Sequence, residues 1–424
     1  MLSRLKDHPL YLFPDFRNFF IGDILVAIAE RFFAITFAWW LISQDGENGK
    51  WLGVLMAVEA MPILFLSPFV GPLIDRYNKK SCMLVGVIMQ LVFVSIICYL
   101  LAVGRLEFIY LVVLSFCMSC FIPQFEDSVS ASVAKLVDED HLSGATTIQA
   151  STIEFSNIIA AVLSTTIIAA TGILEAVYAN ILLYVSGILF LLMIKVDLSP
   201  EPRDEDAEET GYVQELKNGL QYVWHYRELK WYGLIYAMET FLIVPIFILI
   251  PMMVKYVLHE GVNWVAVFEA SLSAGAVVMT IVMSFKQRYR NFYETYAVCM
   301  AVIGMSMAAL GLVTNTYVMT VLIFIIGCLF AALMALSFML FQHTVPQEFK
   351  GRFFGLMSTI AAGMAPLSYL VVGTMADLVS VEAVLLASGI GAVLLAGVVV
   401  VIPRVRKHIG YSDQGEEEKL PAED

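Results

Sequence analysis

The stretch Gly71-Pro72-Leu73-Ile74-Asp75-Arg76-Tyr77-Asn78-Lys79-Lys80 is a short charged segment between two long apolar runs. The runs cover Trp51–Val70 and Met83–Val103. Each is long enough to cross a bilayer as an α-helix, which takes about 20 residues. A segment this short cannot link two domains. It therefore predicts a tight turn at Gly71-Pro72 that joins two neighbouring membrane helices at one face of the membrane.

The composition of the whole chain supports a membrane protein. Of its 424 residues, 59% are hydrophobic and 15% are charged, whereas a soluble domain carries about 25% charged residues. The net charge is −13, and much of the acid lies in residues 201–209 and 416–424. These two segments are expected to be solvated. Since no basic face is available, nucleic acid is excluded as a partner.

The six cysteines fall within or at the edges of apolar runs, including the pair in Cys117-Met118-Ser119-Cys120. Buried free cysteines usually serve as small packing residues, so we expect neither a disulfide framework nor a metal site. No cofactor is expected either. The N-terminal segment, residues 1–17, lacks a signal-peptide cleavage pattern, so the first apolar run is expected to remain as a span.

Twelve apolar windows have lengths near those of membrane helices. Because lipid offers no hydrogen bonds to the backbone, only helices or closed barrels cross a membrane, and these windows are too long for barrel strands. We therefore predict an all-α membrane protein with twelve transmembrane helices. The predicted spans are Phe19–Ser43, Trp51–Val70, Met83–Val103, Phe108–Ala131, Ala145–Ala170, Ala176–Ile194, Trp231–Leu258, Val262–Phe285, Tyr296–Val313, Tyr317–Phe341, Phe353–Met375 and Ala383–Ile402.

Lysine and arginine are distributed unevenly between the two sides of these spans. With both termini on one side, 21 of the 25 Lys and Arg residues fall on that side. The opposite loops hold only Lys50, Arg105 and Lys255, and Arg31 lies inside a span. Positive residues concentrate in cytoplasmic loops, so we expect both termini in the cytoplasm of a bacterial-type cell, with the chain in its inner membrane.

A polar stretch, Lys195–Lys230, divides the spans into six and six. We predict an N-terminal six-helix bundle over residues 1–196 and a central loop over 197–230 with an amphipathic surface helix from 212. A C-terminal six-helix bundle over 231–403 and an acidic tail over 404–424 complete the predicted organisation. The loops 137–144 and 345–351 follow the fourth and tenth spans, as expected for two pseudo-repeats.

The opening stretch also resembles the loop motif of the major facilitator superfamily, Gly-x-x-x-Asp-Arg-x-Gly-Arg-Arg/Lys. Asn78 stands where that motif has its second Gly, and Lys79 where it has Arg. The segments Val345–Gly355 and Glu215–Leu229 are similar to a loop and a central helix of the macrolide-efflux and enterobactin-exporter branch. The fifth span lacks the Gly-Pro-rich signature that drug/proton antiporters often carry.

This resemblance implies a monomeric secondary transporter that works by alternating access in a lipid bilayer. We expect it to export an amphiphilic small molecule, drug-like or siderophore-like, in exchange for protons. A lysophospholipid transporter is an alternative, because Gly144–Ile153 is loosely similar to a helix of such proteins. A membrane receptor without transport is another. An enzyme is not expected, since no catalytic signature is present.

The resemblance further implies a cytoplasmic gate, in which Asp75 faces the N-terminus of the eleventh helix, where a helix dipole favours a carboxylate. Two readings stay open for the basic residues of the motif: they pair with acids of the 138–140 loop, or they only anchor the orientation. The expected gating residues are Gly71, Asp75, Arg76, Lys79, Lys80, Gly351 and Arg352.

Charged residues inside the spans are the candidates for proton coupling, because a charge in the membrane needs a partner, a cavity or a function. Glu59 is a plausible partner of Arg31. Carboxylates that face each other across a low dielectric cannot all stay ionised. The alternative is a static network that stabilises the bundle. The candidates are Asp23, Glu30, Arg31, Glu59, Glu126, Asp127 and Glu239.

A weaker set of polar residues is expected to contribute to the substrate cavity. Gln124 follows Pro123, which is expected to kink the fourth span, and the seventh span contains Pro245 and Pro251, which are expected to kink or loosen it. The weaker set is Gln124, Gln149, Glu154 and Glu269.

Overall fold

The structure, a computed structural model, describes residues 8–44, 48–200, 227–285, 292–344 and 350–401. All regular structure within these residues is helical. A short helix, Pro9–Leu12, is followed by the helices named α1 to α12. Their bounds are α1 Pro14–Ile42, α2 Gly49–Arg76, α3 Lys79–Ala102, α4a Phe108–Ser119, α4b Ile122–Leu136, α5 Glu139–Thr171, α6 Ile173–Leu192, α7a Arg227–Ile243, α7b Ile246–Met252, α8 Asn263–Phe285, α9 Phe292–Leu310, α10 Thr316–Thr344, α11 Lys350–Leu378 and α12 Val381–Val401.

The prediction of an all-α membrane fold is confirmed. By length and composition, eleven helices of the described residues can cross a membrane. The segment Glu294–Leu310 of α9 is also apolar but shorter. These helices form because long apolar runs must satisfy every backbone group internally once they are in lipid.

The helix α2 differs from its prediction at its C-terminal end. The prediction of a tight turn at Gly71-Pro72 is wrong, because α2 continues through both residues to Arg76. Only Tyr77 and Asn78 separate it from α3. Proline is tolerated inside membrane helices, where neighbouring helices satisfy the backbone groups that it frees. The joint between the two helices is therefore shorter than expected.

The predicted kinks in the fourth and seventh spans are present. The fourth helix is interrupted after Ser119, and Pro123 lies in the first turn of α4b, where proline costs no hydrogen bond. The seventh is interrupted before Ile246, and a π-helical turn, Met253–Val257, follows α7b. Such turns occur frequently at functional sites.

The helices pack into an N-terminal half, α1 to α6, and a C-terminal half, α7 to α12. Within the first half, α1 packs against α5 and α6; within the second, α9 packs against α10 and α12. Between the halves, α2 packs against α11 and α5 packs against α8. Most of the predicted central loop and the whole acidic tail lie outside the described residues.

We call the end of the bundle where α1 begins and α12 ends the terminal face, and the other end the opposite face. Near the opposite face, α2 and α11 touch: a Cβ atom added to Gly53 would lie 2.4 Å from the Tyr369 carbonyl oxygen. Near the terminal face, no described atom lies within 4 Å of such a Cβ at Gly71 or at Gly355. The closest described approach of α2 to α11 therefore lies near the opposite face.

Candidate functional site

An ion pair joins the two halves near the middle of the bundle. Arg31 on α1 and Glu269 on α8 place Nη2 and Oε2 2.8 Å apart, and the Glu269 side chain is only 6% exposed. A buried charge is costly unless it is paired, so this contact offsets the cost of burying both side chains and links α1 to α8.

Three further titratable residues lie within electrostatic range of Arg31: Glu59 on α2, Glu154 on α5 and Tyr369 on α11. With Glu269 on α8, they come from the four helices that form the two most extensive contacts between the halves, α2 with α11 and α5 with α8. Glu154 also lies beside Ser273 of α8. Arg31 thus lies within electrostatic range of residues from all four of these helices, so a rearrangement of the halves would change its surroundings.

The interruption of the seventh helix places an aromatic ring at this ion pair. Phe247 in α7b lies with its ring centroid 5.7 Å from Cζ of Arg31, within the range of a cation–π interaction. A small crevice lies here, with Met56, Phe247 and Pro251 among its walls. The break predicted from the prolines therefore shapes the surroundings of Arg31.

A second acidic group lies nearer the terminal face. Asp23 on α1 is buried, whereas Glu126 and Asp127 on α4b are exposed. Asp23 and Glu126 are electrostatic neighbours, as are Glu126 and Asp127. The structure therefore brings together the acids of the first and fourth helices that the sequence singled out.

Glu30 lies between the two groups. Its electrostatic neighbours are Asp23, Glu126 and Gln90, the last of these on α3. Tyr184 on α6 donates a hydrogen bond of 3.1 Å to Oε1 of Gln90, and both side chains are fully buried. Neither Gln90 nor Tyr184 was among the residues selected from the sequence.

The two glutamines of the weaker set lie in different environments. Gln124 on α4b donates to the Cys82 carbonyl oxygen on α3, at 3.2 Å, and so ties these two helices together. Gln149 is half-buried on α5. The structure therefore brings Glu154 and Glu269 to the Arg31 site and gives Gln124 a contact within the N-terminal half.

Glu239 lies apart from both acidic groups, inside the C-terminal half. It is fully buried on α7a, and the Tyr296 hydroxyl on α9 donates a hydrogen bond to its Oε2. Burying a carboxyl group costs free energy unless it is hydrogen-bonded, so the bond from Tyr296 stabilises the buried Glu239. This position suits a residue that joins α7a to α9.

Within the Gly71–Lys80 motif, Asn78 links the start of α3 to the segment after α6. Asn78 caps α3 by accepting from the Lys80 backbone N–H at 3.0 Å, and its Nδ2 donates to Asp197 and Ser199. The hydrogen bonds that Ser199 donates, more than those from Asn78 or the charge of Lys135, lower the pKa of Asp197.

The two lysines of the motif bind backbone carbonyl groups. Lys79 Nζ donates to Ala131 O at 2.8 Å, and Lys80 Nζ donates to Ile194 O at 2.6 Å and to Leu192 O at 3.0 Å. A cation at the C-terminal end of α6 also interacts favourably with the negative end of the helix dipole. Lys80 thus secures the end of α6, which neither reading of the sequence included.

The predicted gate between α2 and α11 at the terminal face depends on the side chains of Asp75 and Arg352 and on Gly351. All three residues lie in described helices, but the structure does not describe these side chains or the surroundings of Gly351. Arg76 is exposed at the end of α2. The proposed contact therefore stays a prediction.

At the opposite face, a contact that the sequence analysis did not find joins the same two helices. Asp377 at the end of α11 accepts hydrogen bonds from the backbone N–H groups of Gly49, at 2.8 Å, and Lys50, at 2.7 Å. It thereby caps the N-terminus of α2 from the other half. Tyr256 adds a second link, because its hydroxyl accepts from Asn48 N and donates to Ile42 O. The sequence feature that could have indicated this contact is the acidic residue Asp377, just after the eleventh apolar run.

Comparisons with known proteins agree with this architecture. A family model described as Major Facilitator Superfamily matches residues 19–369. The multidrug efflux pump Tap of Mycolicibacterium fortuitum is 20% identical, with 87% of this chain and 91% of Tap covered. The macrolide efflux protein A of Streptococcus pyogenes is 19% identical, with 92% and 96% covered. The resemblance to a macrolide-efflux branch is thus confirmed.

Solved structures show the same fold at low identity. The nucleoside transporter NupG superposes with a TM-score of 0.74 at 10% identity, covering 91% of this chain and 98% of NupG. A bacterial homologue of the human lysosomal transporter Spinster, inward-facing and unoccupied, superposes with a TM-score of 0.69 at 11% identity, covering 94% and 98%.

Proposed function

Because the chain belongs to the Major Facilitator Superfamily and is a membrane transporter of that fold, we propose that it exports an amphiphilic small molecule in exchange for protons. Export is supported by the efflux proteins among its relatives, Tap and macrolide efflux protein A. Transport proceeds by alternating access, in which the two halves rock about the site around Arg31.

The observation that carries this proposal is the ion pair between Arg31 and Glu269 across the two halves. An ionised Glu269 holds α8 to α1 and favours the state in which the halves separate at the terminal face. Protonation of Glu269 removes the ion pair and with it this preference. A proton gradient can then bias the exchange between two states, because a ligand shifts an equilibrium by its differential affinity for them.

The surroundings of Arg31 also indicate a type of substrate. Glu59, Glu154 and Glu269 supply acidic groups, and Phe247 and Tyr369 supply aromatic surface. Sites for small molecules combine apolar walls with a few polar groups that orient the ligand. This combination suits an amphiphilic solute with a cationic or hydrogen-bonding group, drug-like or siderophore-like.

The orientation of the transporter follows from its charges. Arg76, Lys79, Lys80 and Lys135 lie at the terminal face, and the order of the spans in the sequence predicts the same side for most other basic residues. We therefore place this face in the cytoplasm, with the chain in the inner membrane. The close approach of α2 to α11 near the opposite face supports the inference that this is the state from which an exporter takes up its substrate.

The proposal is tested with purified protein in proteoliposomes, with ethidium as the probe and an imposed pH gradient. The wild type is expected to move ethidium against its concentration gradient. In Glu269→Gln, gradient-driven export is expected to fall about tenfold or more, the size expected when a proton-transfer group is removed. Exchange of ethidium at equal pH on both sides is expected to persist.

Glu107→Gln is the matched control, because Glu107 is exposed at the start of α4a and takes no part in the site. Its transport should equal that of the wild type. Export by the wild type that ignores the pH gradient, or full gradient-driven export by Glu269→Gln, contradicts proton coupling through this ion pair.

A further inference from the structure

The segment after α6 is held against the N-terminal half although it forms no helix. It covers residues 193–199 and precedes the central loop. Ile194 and Leu198 are buried, with 2% and 0% exposure, whereas the three residues between them are exposed. Connecting segments usually run over the surface of a protein. The two buried side chains therefore indicate that this segment is docked into the bundle.

The side chain of Asp197 folds the segment into a turn. Its Oδ1 accepts from the backbone N–H of Ser199 at 3.0 Å and from the Ser199 hydroxyl at 2.6 Å, which is the hydrogen bonding of an Asx turn. Asn78 then donates from Nδ2 to both side chains, at 3.0 Å to Asp197 Oδ1 and at 2.9 Å to Ser199 Oγ. The turn thus presents its acceptors to the residue that caps α3.

Three helices satisfy backbone groups of the same segment. The bonds run from Lys195 N to Asp15 Oδ1 on α1 at 3.0 Å, from Lys79 N on α3 to Leu198 O at 3.2 Å, and from Lys135 Nζ on α4b to Ser199 O at 2.7 Å. Lys80 Nζ on α3 adds its bond to Ile194 O. Most of these bonds involve a charged side chain, and such bonds are stronger than neutral ones. The docking therefore rests on more than the local turn.

The residues that hold this segment include the second part of the Gly71–Lys80 motif, which the proposed transport mechanism does not use. Lys80 also donates to Leu192 O at the end of α6, at 3.0 Å. The terminal ends of α1, α3, α4b and α6 thus meet where the chain leaves for the C-terminal half. We call the holding residues the α6 anchor: Asp15, Asn78, Lys79, Lys80 and Lys135.

The α6 anchor does not act mainly through the length of the connection between the halves. Release of residues 193–199 would lengthen that connection, but the entropy of closing a loop depends only weakly on its length. The larger effect is on rigidity. Helix ends that share hydrogen bonds move together, whereas a released segment would pass a movement to α6 alone.

We propose that the α6 anchor positions the start of the central loop and makes the terminal ends of α1, α3, α4b and α6 move as one rigid piece. A movement of the C-terminal half then reaches all four helices through residues 193–199. The members of the anchor are positioning residues. Their role is separate from the gate expected between Asp75 and α11, and it does not depend on which solute or ion is transported.

The first test is hydrogen exchange, resolved by residue, of the purified full-length protein in detergent. Lys80→Ala should raise exchange over residues 193–199 about tenfold, because loss of charged hydrogen bonds makes local opening easier. Lys80→Arg should restore most of the protection, since arginine keeps a cationic donor. Exchange in the first turn of α11 should not change. A rise at α11 without a rise at residues 193–199 would assign Lys80 to the gate and overturn the anchor.

Lys195→Ala is the matched control, because it removes one lysine from the same segment. The Lys195 side chain is exposed, and its backbone N–H, which the substitution keeps, makes the bond to Asp15. Exchange over residues 193–199 should match that of the wild type. If Lys195→Ala raises exchange as much as Lys80→Ala, loss of any positive charge explains the effect, and the anchor is not needed.

The wild type alone provides a measurement that does not depend on whether a variant folds. The backbone N–H groups of Lys79, Lys195 and Ser199 donate hydrogen bonds in the docked segment. Their exchange should be at least about tenfold slower than in an unstructured peptide. Unprotected N–H groups at these three positions would show that the segment is not docked.

Ethidium separates positioning from substrate binding. In Lys80→Ala, we expect the maximal rate of ethidium transport in proteoliposomes to fall about fivefold or more, while the Kd for ethidium stays within about twofold of the wild type, because the anchor acts on a conformational step. A weakened Kd with an unchanged maximal rate would contradict this role. A wild type that moves no ethidium contradicts the proposed function and leaves the hydrogen-exchange result to decide on the anchor.

Discussion

Arg31 and Glu30 are adjacent in the sequence but act in different parts of the protein. Successive residues on a helix point about 100° apart. Arg31 therefore reaches Glu269 in the C-terminal half, whereas Glu30 neighbours Gln90 inside the N-terminal half. The sequence identified both as costly charges that need partners, and it suggested Glu59 for Arg31. The sequence could not identify Glu269 as the partner of Arg31, because that contact depends on how α8 packs against the N-terminal half.

Glu239 provides a test at a single buried hydrogen bond. Its Oε2 accepts from the Tyr296 hydroxyl, and its Oε1 has no partner within the described chain. Tyr296→Phe removes the hydroxyl group that donates to Oε2, so neither oxygen of the Glu239 carboxyl then has a hydrogen-bond partner among the described residues. We expect a loss of about 1–3 kcal/mol of stability, the cost of an unsatisfied buried polar group. The measurement is the thermal unfolding midpoint of the purified protein in detergent.

The control for this change is Tyr317→Phe, because Tyr317 is largely exposed at the start of α10. Its midpoint should match that of the wild type. A Tyr296→Phe variant with an unchanged midpoint but no gradient-driven export would show that Glu239 serves coupling and does not mainly join α7a to α9.

The start of α3 shows how one substitution in a motif acquires a structural role. Asn78 stands where the family motif has Gly, and a side-chain oxygen at this position caps the helix. Asn78→Ala should cost about 0.5–2 kcal/mol, the usual effect of removing an N-cap. Loss of the hydrogen bonds to Asp197 and Ser199 acts in the same direction. Thermal unfolding in detergent measures the change.

Asn78→Ser is the matched variant, because serine keeps a capping oxygen but is too short to replace the side-chain amide. It should recover most of the stability that Asn78→Ala loses. If alanine and serine behave alike and both match the wild type, the cap observed at α3 does not contribute to stability.

Helix positions could be predicted well because apolar runs and membrane thickness set them. For α8, the predicted span Val262–Phe285 and the observed helix Asn263–Phe285 nearly coincide. The extension of α2 to Arg76 was missed, because glycine followed by proline favours a turn in water and a helix in lipid requires no such turn. The kinks of α4 and α7 were predictable from proline, whereas the π-helical turn after α7b was not.

In the proposed alternating-access cycle, we expect contacts at the opposite face to set the balance between the two states. There α2 and α11 approach closely at Gly53, where a Cβ would lie 2.4 Å from the Tyr369 carbonyl oxygen. Gly53→Ala should force the helices apart and weaken the closed opposite face. A shift of about 1–3 kcal/mol, as expected for overpacking, would raise the population open at that face. Distances between spin labels on α2 and α11 measure this population.

Gly397→Ala on α12 is the control, since no described atom lies within 4 Å of the added Cβ and Gly397 is not among the expected gating residues. Its distance distribution should match that of the wild type. Equal distributions for Gly53→Ala and the wild type would mean that this close approach does not hold the opposite face closed.

The chain's membrane location, its helices, its two repeats and its family follow from local properties of the sequence. Apolar runs of bilayer length, basic loops and the Gly71–Lys80 motif act over short stretches, so they can be recognised without a fold. The partners of the charged residues could not be recognised in this way. Arg31 with Glu269, Asp377 with the start of α2, and Glu30 with Gln90 depend on which helices pack together and on which way each is rotated. Those contacts are set by the packing of whole helices and of the two halves, because the energy of a buried charge depends on neighbours that lie far away along the chain.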